Sequence, residues 1–449
     1  MRLWDSGSTE IDGAILAFTV GEDPVLDKVL LPYDCIGSAA HVEMLATIGV
    51  LNEEEREALR DALSDAFIHA STGRLGISQE QEDCHTALEA WVTQCTGEAG
   101  KKVHTGRSRN DQVITALRLY VREQLLQLAA VAADLVEVAL KRGRQHRSDL
   151  MPGYTHTRQA MPSTVGQLFF SLAECLIRNI EAFVAPLKLA NRSPLGSASG
   201  YGVPLPLDRQ LVSDLLGFDG PDINTIYVQQ TRGLLEASVL SALHQLTLSL
   251  SRFAADLIWF SSEAFGFFHL PQQLTTGSSI MPQKQNPDVL ELIRVAPASI
   301  LGRYNAVTTA LHGLPSGYHR DLQRTKGPLV RSFIDTFATL VVMRKAVDGL
   351  KVDTDKCAAA LTPDIFATDR TFALVRGGMA FRDAYRKIKE SEPEAMANEL
   401  VFAGRDHLGA PGTDQTESLR AALIQVQQEL VGFAAGATRS RELVNSPDI

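Results

Sequence analysis

The chain has 449 residues, is 45% apolar and carries a formal charge of -10 with a pI near 5.6, which allows a large core and two to three domains and excludes a broad basic surface for nucleic acid. Five cysteines, Cys35, Cys84, Cys95, Cys175 and Cys357, are odd in number and form no CxxC pair, so neither a disulfide framework nor a metal site of the zinc type is expected. The opening residues lack the apolar core of a signal peptide, and no apolar run reaches the roughly 18 residues of a membrane span, which predicts a soluble cytoplasmic protein without a membrane partner.

In chain order, Tyr33 to His41 lead into a helical pattern carried by Val42, Leu45 and Ile48. Asn52 followed by Glu53, Glu54 and Glu55 predicts a capped helix start, and Gly73 predicts its stop. Another helix is expected after Glu82-Asp83-Cys84-His85, where Asp83 is either its cap or a functional partner of His85. The string from Gly100 to Gln112 gathers Lys101, Lys102, Arg107 and Arg109 where a long helix begins. Arg109 can fork onto a carboxylate while Ser108 and Asn110 supply orienting bonds, the alternative being a solvated basic loop. From Asp111 to Arg142 there is no proline or glycine, which predicts that helix.

Gly153 to Pro162 then interrupts the helical pattern and places His156 in a polar string suited to a cleft. The glycines of 196–202 precede Pro204 and Pro206 rather than a helix, so they predict a tight turn and not a dinucleotide loop. Between Tyr227 and Phe265, Val239, Leu243, Leu246, Leu250, Phe253, Leu257 and Phe260 follow steps of four and three, the seam of helices packed side by side. One continuous helix there would span roughly 58 Å at about 1.5 Å per residue. A second apolar set, Leu240, Ala242, Leu248, Ile258 and Trp259, predicts a bundle shared between subunits.

The loop from Gly277 to Pro287 ends in an expected cap at Asn286, with Pro287 as the first helical residue. Its glycine and serines allow movement, and its open end combines unpaired helix amides with the charge of Lys284, a setting for a carboxylate and a developing oxyanion. A polar string at 314–326 precedes another helix, and a smaller region is expected from residue 360 onward. The expected organisation is all-α: an N-terminal helical region 1–108, an elongated central bundle 109–359 and a C-terminal helical region 360–449.

Five strings, HTGRSRNDQ at 104–112, GYTH at 153–156, PLGSASGYG at 194–202, GSSIMPQKQNPD at 277–288 and GYHRDLQ at 317–323, together resemble the argininosuccinate lyase family of the fumarase/aspartase superfamily, in that family's order and over nearly the whole chain. The resemblance implies a homotetramer whose sites draw on three chains, and reversible cleavage of a small substrate, argininosuccinate, to arginine and fumarate without a cofactor, in arginine biosynthesis. It implies Ser278 as catalytic base, His156 paired with Glu291, and Lys284 and Asn286 around the substrate carboxylates. It also implies substrate contacts at Ser38, Arg109, Asn110, Thr155, Tyr318, Gln323 and Lys326. Departures from the family's pattern fall at Arg158 and Met161, where glutamines are usual, at Gln230-Thr231-Arg232-Gly233, where an aspartate is usual after the arginine, and at Asp5-Ser6-Gly7 after Leu3-Trp4. Arg158 is expected to point outward, leaving Gln159 toward substrate.

Overall fold

The structure, a computed structural model, describes residues 12–397 and 400–445; the departure at Asp5-Ser6-Gly7 lies outside them. Helix dominates the chain, as the all-α expectation holds, and the sheets among the described residues are two-stranded. The elements used below are α1 (Gly13–Val20), α2 (Leu31–Thr47), α3 (Glu53–Ser71), α4 (Cys84–Thr96) and α5 (Arg109–Gln145). After α5 come strands β1 (Leu150–Thr155) and β2 (Arg158–Thr164), then α6 (Val165–Glu181) and α7 (Leu234–Ser261). Strands β3 (Thr276–Gly277) and β4 (Gln285–Asn286) precede α8 (Asp288–Leu311), α9 (Lys326–Gly349), α10 (Ala367–Arg376), α11 (Phe381–Lys389) and α12 (Thr416–Glu442).

The expected helix ends are made by the expected chemistry. Asn52 and Glu55 bond reciprocally in a capping box on α3, and Gly73 follows its end at φ 71°. Asp83 accepts from the Thr86 amide at the head of α4; at the head of α5, where the sequence reading gave Ser108 only orienting bonds, Ser108 and Asp111 form a capping box. α5 has 37 residues and therefore extends about 55 Å. It is the axis of the fold: α2, α6, α9 and α12 all pack against it.

The seam of α7 is buried from Val239 to Phe260 and packs on α8 and α9, each such side chain contributing about 1.5–3 kcal/mol of burial. The long helix is shorter than its pattern suggests. It begins at Leu234, after a separate turn of helix at Thr225–Gln230, because Gly233 takes φ 81° and donates its amide to Glu236 Oε2 at 2.6 Å. A side chain at 233 would overlap Leu311, so the break also lets α8 come close to the head of α7.

α12 leaves the 360–415 stretch and lies back along α5 and α6, burying Leu419, Leu423, Val426, Leu430 and Phe433. There Gly436 meets Gly217 backbone to backbone. Arg122, 1% exposed, reaches from α5 into that junction and donates to the carbonyls of Leu216, Gly217 and Gly436 and to Ser440.

Candidate active site

The sequence-predicted residues fall into three groups. The first surrounds a cavity of about 270 Å³ at the head of α5, lined by Arg109, Asn110, Tyr318, Gln323 and Lys326 among others. Arg109 is fixed there by ions and a hydroxyl: its Nη1 lies 3.4 Å from both Glu82 and Asp83, and its Nη2 donates to Thr86 Oγ1 at 2.7 Å. Asp83 therefore acts as a cap and as an ion partner at once. His85 bonds instead to Asp34, 2.8 Å from Nδ1 to Oδ2, with both groups buried. Burial disfavours its charge, but the carboxylates of Asp34 and Asp83 outweigh that and raise its pKa.

Lys326 is buried and shared between Asp27 and Asp23, the latter at 3.1 Å. Burial opposes its charge, and the two acids more than offset it, raising its pKa. Gln323 donates to the carbonyls of Thr19 and Val20 at the end of α1, at 3.0 and 3.2 Å. Ser38 does not line this cavity. It is fully buried and accepts from Arg107 Nη1 at 2.9 Å, because the small residue sits on the inner face of α2. Within one chain it is a support for Arg107 rather than a surface contact.

The second group is the tip of the β1–β2 hairpin. Thr155 pairs with Arg158, and the two residues between them, His156 and Thr157, take φ of 52° and 59°. A two-residue hairpin turn of this kind requires positive φ at both centres, which Asn-Gly adopts readily and a β-branched threonine only at a cost of about 1–3 kcal/mol. His156 is thus presented, exposed, on a strained turn. The hairpin is anchored by Tyr154 against Trp259, Phe260 and Phe265 at the end of α7. Gln159 does not face the site as expected: its amide binds Ala360 O at 2.7 Å and Thr362, and strand alternation sends exposed Arg158 to the other face.

The third group is the loop from Gly277 to Asn286. It is closed at its base by β3 and β4, where Thr276 pairs with Asn286 and Gly277 with Gln285. Asn286 is consequently a strand residue and not the cap; Pro287 holds that position, and α8 starts at Asp288, whose carboxylate is taken by Thr276 Oγ1. Ser278 Oγ accepts from the Met281 amide at 3.1 Å, and Lys284 is exposed. Glu291 lies 3.9 Å from Arg294 on its own helix. Among the described residues no contact joins it to His156, because the two stand on separate element ends of one chain.

These groups occupy opposite ends of the bundle. Gly233 lies by Leu311 and Ser251 donates to Arg294 O, so the start of α8 lies beside the last turns of α7, the same end as Tyr154. The cavity group lies at the other end of α5, about 55 Å away along that helix. Among the charged residues that line the cavity, sequence reasoning gave no site role to Asp23, Asp27 or Arg232. The only local signals were the departure already noted around Arg232 and an acid before Pro24.

Asp34, Cys84 and His85 bring one ligand atom each within 4.8 Å of the others. Burial raises the Cys84 thiol well above its ordinary range, and Asp34 adds to this, so the thiolate that a metal needs is disfavoured. The trio fits a hydrogen-bonded interior better than a metal centre.

The long antiparallel helices and the glycine-serine loop at the head of α8 define a lyase: the profile of the lyase family matches residues 18–302. An argininosuccinate lyase of Sorangium cellulosum is 44% identical over 414 residues, 92% of this chain and 96% of that one. One of Xanthomonas campestris is 40% identical over 93% of this chain and 98% of its own. The chain belongs to the argininosuccinate lyase family of the fumarase/aspartase superfamily. Among solved structures, EDDS lyase in complex with formate superposes with a TM-score of 0.76 at 24% identity, covering 97% of this chain and 94% of its own, which shows the shared fold.

Proposed function

We propose that this chain catalyses the reversible β-elimination of argininosuccinate to L-arginine and fumarate, in arginine biosynthesis in the cytoplasm. The observation that carries the reading is the 44% identity to an argininosuccinate lyase across 92% of the chain, with the loop GSSIMPQKQNP complete. No helix among the described residues is long and apolar enough to cross a membrane.

In this reading Ser278 removes the proton from the carbon beside a succinyl carboxylate, and the C–N bond to the guanidino nitrogen then breaks. The intermediate carries extra negative charge on that carboxylate, so Lys284, Asn286 and the amides that open α8 stabilise it. Serine needs help to ionise. A drop of about five pKa units corresponds to about 7 kcal/mol, and one lysine at about 4 Å supplies about 4 kcal/mol at an effective dielectric of 20. The loop therefore closes over substrate, excludes water and adds donors, with Gly277 as hinge. Substrate contacts fall to Arg109, Asn110, Thr155, Tyr318, Gln323 and Lys326, with Ser38 behind Arg107.

The same reading makes the active form a homotetramer, whose central bundle 109–359 brings copies together and whose ends, 1–108 and 360–449, flank it. It is supported by the exposed apolar residues that α7, α8 and α9 leave on their outer faces, including Leu248, Leu292, Val295, Ile334 and Phe337. Across such an interface His156 of one copy meets Glu291 and Ser278 of another. The direct test is fumarate release, followed by ultraviolet absorbance, from argininosuccinate and from a panel of other N-succinyl compounds. Turnover of argininosuccinate ahead of the panel is expected. Preference for another N-succinyl compound would overturn the substrate assignment.

A further inference from the structure

The hairpin that presents His156 is tied at its base to the 360–415 stretch. Arg405 Nη1 donates to Pro162 O at 3.1 Å, Gln167 Nε2 donates to Gly409 O at 3.3 Å, and Leu150 packs with Ile365, Phe366 and Val401. Between base and tip the register slips: Gly153 stands opposite Met161 but Tyr154 opposite Gln159, so Ala160 is the extra residue of a bulge. Beyond that bulge only the pairs Tyr154–Gln159 and Thr155–Arg158 remain before the turn.

The turn has little of its own to hold it. His156 and Thr157 both take positive φ, and the side-chain bond recorded there, from Thr157 Oγ1 to His156 O at 2.6 Å, stays inside the turn. Backbone in this region persists only where the surroundings over-determine it. Cross-strand partners share a face, so Tyr154 and Gln159 turn toward the body of the molecule together while Thr155 and Arg158 take the other face. Tyr154 supplies ring contacts, with Trp259, Phe260 and Phe265, which carry little directional preference. Gln159 supplies direction. Its Nε2 donates to Ala360 O at 2.7 Å, and its Oε1 accepts from the amide and the hydroxyl of Thr362 at 3.3 and 3.2 Å. Both ends of one side-chain amide are thus committed to a segment that begins 201 residues further along the chain.

We propose that Gln159 is the positioning residue for His156: by fixing β2 to residues 360–362, it holds the strained turn in the arrangement that presents the imidazole to substrate. This rests on the argininosuccinate reading, in which His156 belongs to the reacting end of the site. Gln159 touches no reacting atom. Its loss spreads His156 over several positions and slows the chemical step, while the substrate contacts on the other strings stay in place.

The test follows fumarate release from argininosuccinate. Gln159→Met, of similar length but without the amide, should lower kcat about tenfold or more and change KM by less than about threefold. Thr157→Gly supplies the suppressor, because glycine adopts positive φ freely and lets the turn keep its shape unaided. In that background Gln159→Met should cost less than about threefold in kcat. Gln167→Leu cuts a tie at the hairpin base instead, and should keep kcat within about threefold whatever it does to Tm. Deuterium uptake across β1 and β2 should rise in Gln159→Met and return toward the wild-type level in the double variant. If Gln159→Met does not fold, Thr362→Val removes the hydroxyl tie alone and carries the same comparison with Thr157→Gly. Unchanged kcat in Gln159→Met, an equal loss in Gln167→Leu, or a full loss that persists beside Thr157→Gly overturns the assignment. A wild type inactive on argininosuccinate, with uptake that follows this pattern, would instead sink the argininosuccinate reading and leave the anchoring of the turn standing. Uptake indifferent to Gln159 overturns the anchoring in either case.

Discussion

One carboxylate, Asp111, joins two of the polar strings. It accepts from the Ser108 amide at 2.9 Å and from the amides of Gly196 and Ala198 at 3.0 and 2.9 Å, so the glycine-rich turn exists to bring backbone donors onto the head of α5. Beside it, His104 is held neutral: burial, then Arg107 and Arg109, push its pKa down to about 4. An unfolded histidine titrates near 6.5, so below that pH the unfolded chain binds a proton that the folded chain refuses. Stability is therefore lost as pH falls from about 6.5 toward 4. His104→Asn should lose less melting temperature than the wild type between pH 7 and 5, and parallel losses would show that His104 does not contribute. The residues of the HTGRSRNDQ and GSS strings were legible in the sequence because their chemistry is packed into short spacings. Asp23 and Arg232 were not, since they meet Lys326 and the Tyr318 ring, far away in the chain, and no local pattern records such a contact.

At the scale of elements, two backbone junctions decide more than the apolar patterns do. Gly436 lies inside α12, where alanine ordinarily gains about 1 kcal/mol over glycine. Here a Cβ would overlap the Gly217 carbonyl, and the neighbour is backbone that cannot swing aside, so overpacking of about 1–3 kcal/mol wins. Gly436→Ala should lower the urea midpoint with an unchanged m-value; a raised midpoint would mean that the junction yields. The break at Gly233 was hidden for the same reason. A glycine within a helical pattern is usually tolerated; here it takes φ 81° and ends the helix, and its missing Cβ leaves room for the Leu311 side chain from α8. The cap moved from Asn286 to Pro287 because β4 pairing claimed Asn286 first, while the caps at Asn52 and Asp83, which meet no such competitor, stood as their sequences predict, and Ser108, read in the sequence as a source of orienting bonds, proved to be a cap as well.

For the whole molecule, the separation of the cavity from Ser278 and His156 sets a requirement for assembly. In a mixture of His156→Asn and Ser278→Ala chains refolded together, random association leaves about a quarter of the sites with both residues intact if they come from different copies. Recovery toward that fraction of wild-type turnover is expected, and no recovery argues for a site within one chain. The Arg122 junction sets a second requirement, in time. Arg122 is synthesised 314 residues before the Gly436 carbonyl that it binds, an interval of roughly 15–60 s at 5–20 residues per second. Throughout it the guanidinium and the α5 surface awaiting Leu423, Leu430 and Phe433 stay uncovered on the ribosome. The last long helix to be translated completes the interior of one of the first, so the packing of α5 is finished only when translation almost is.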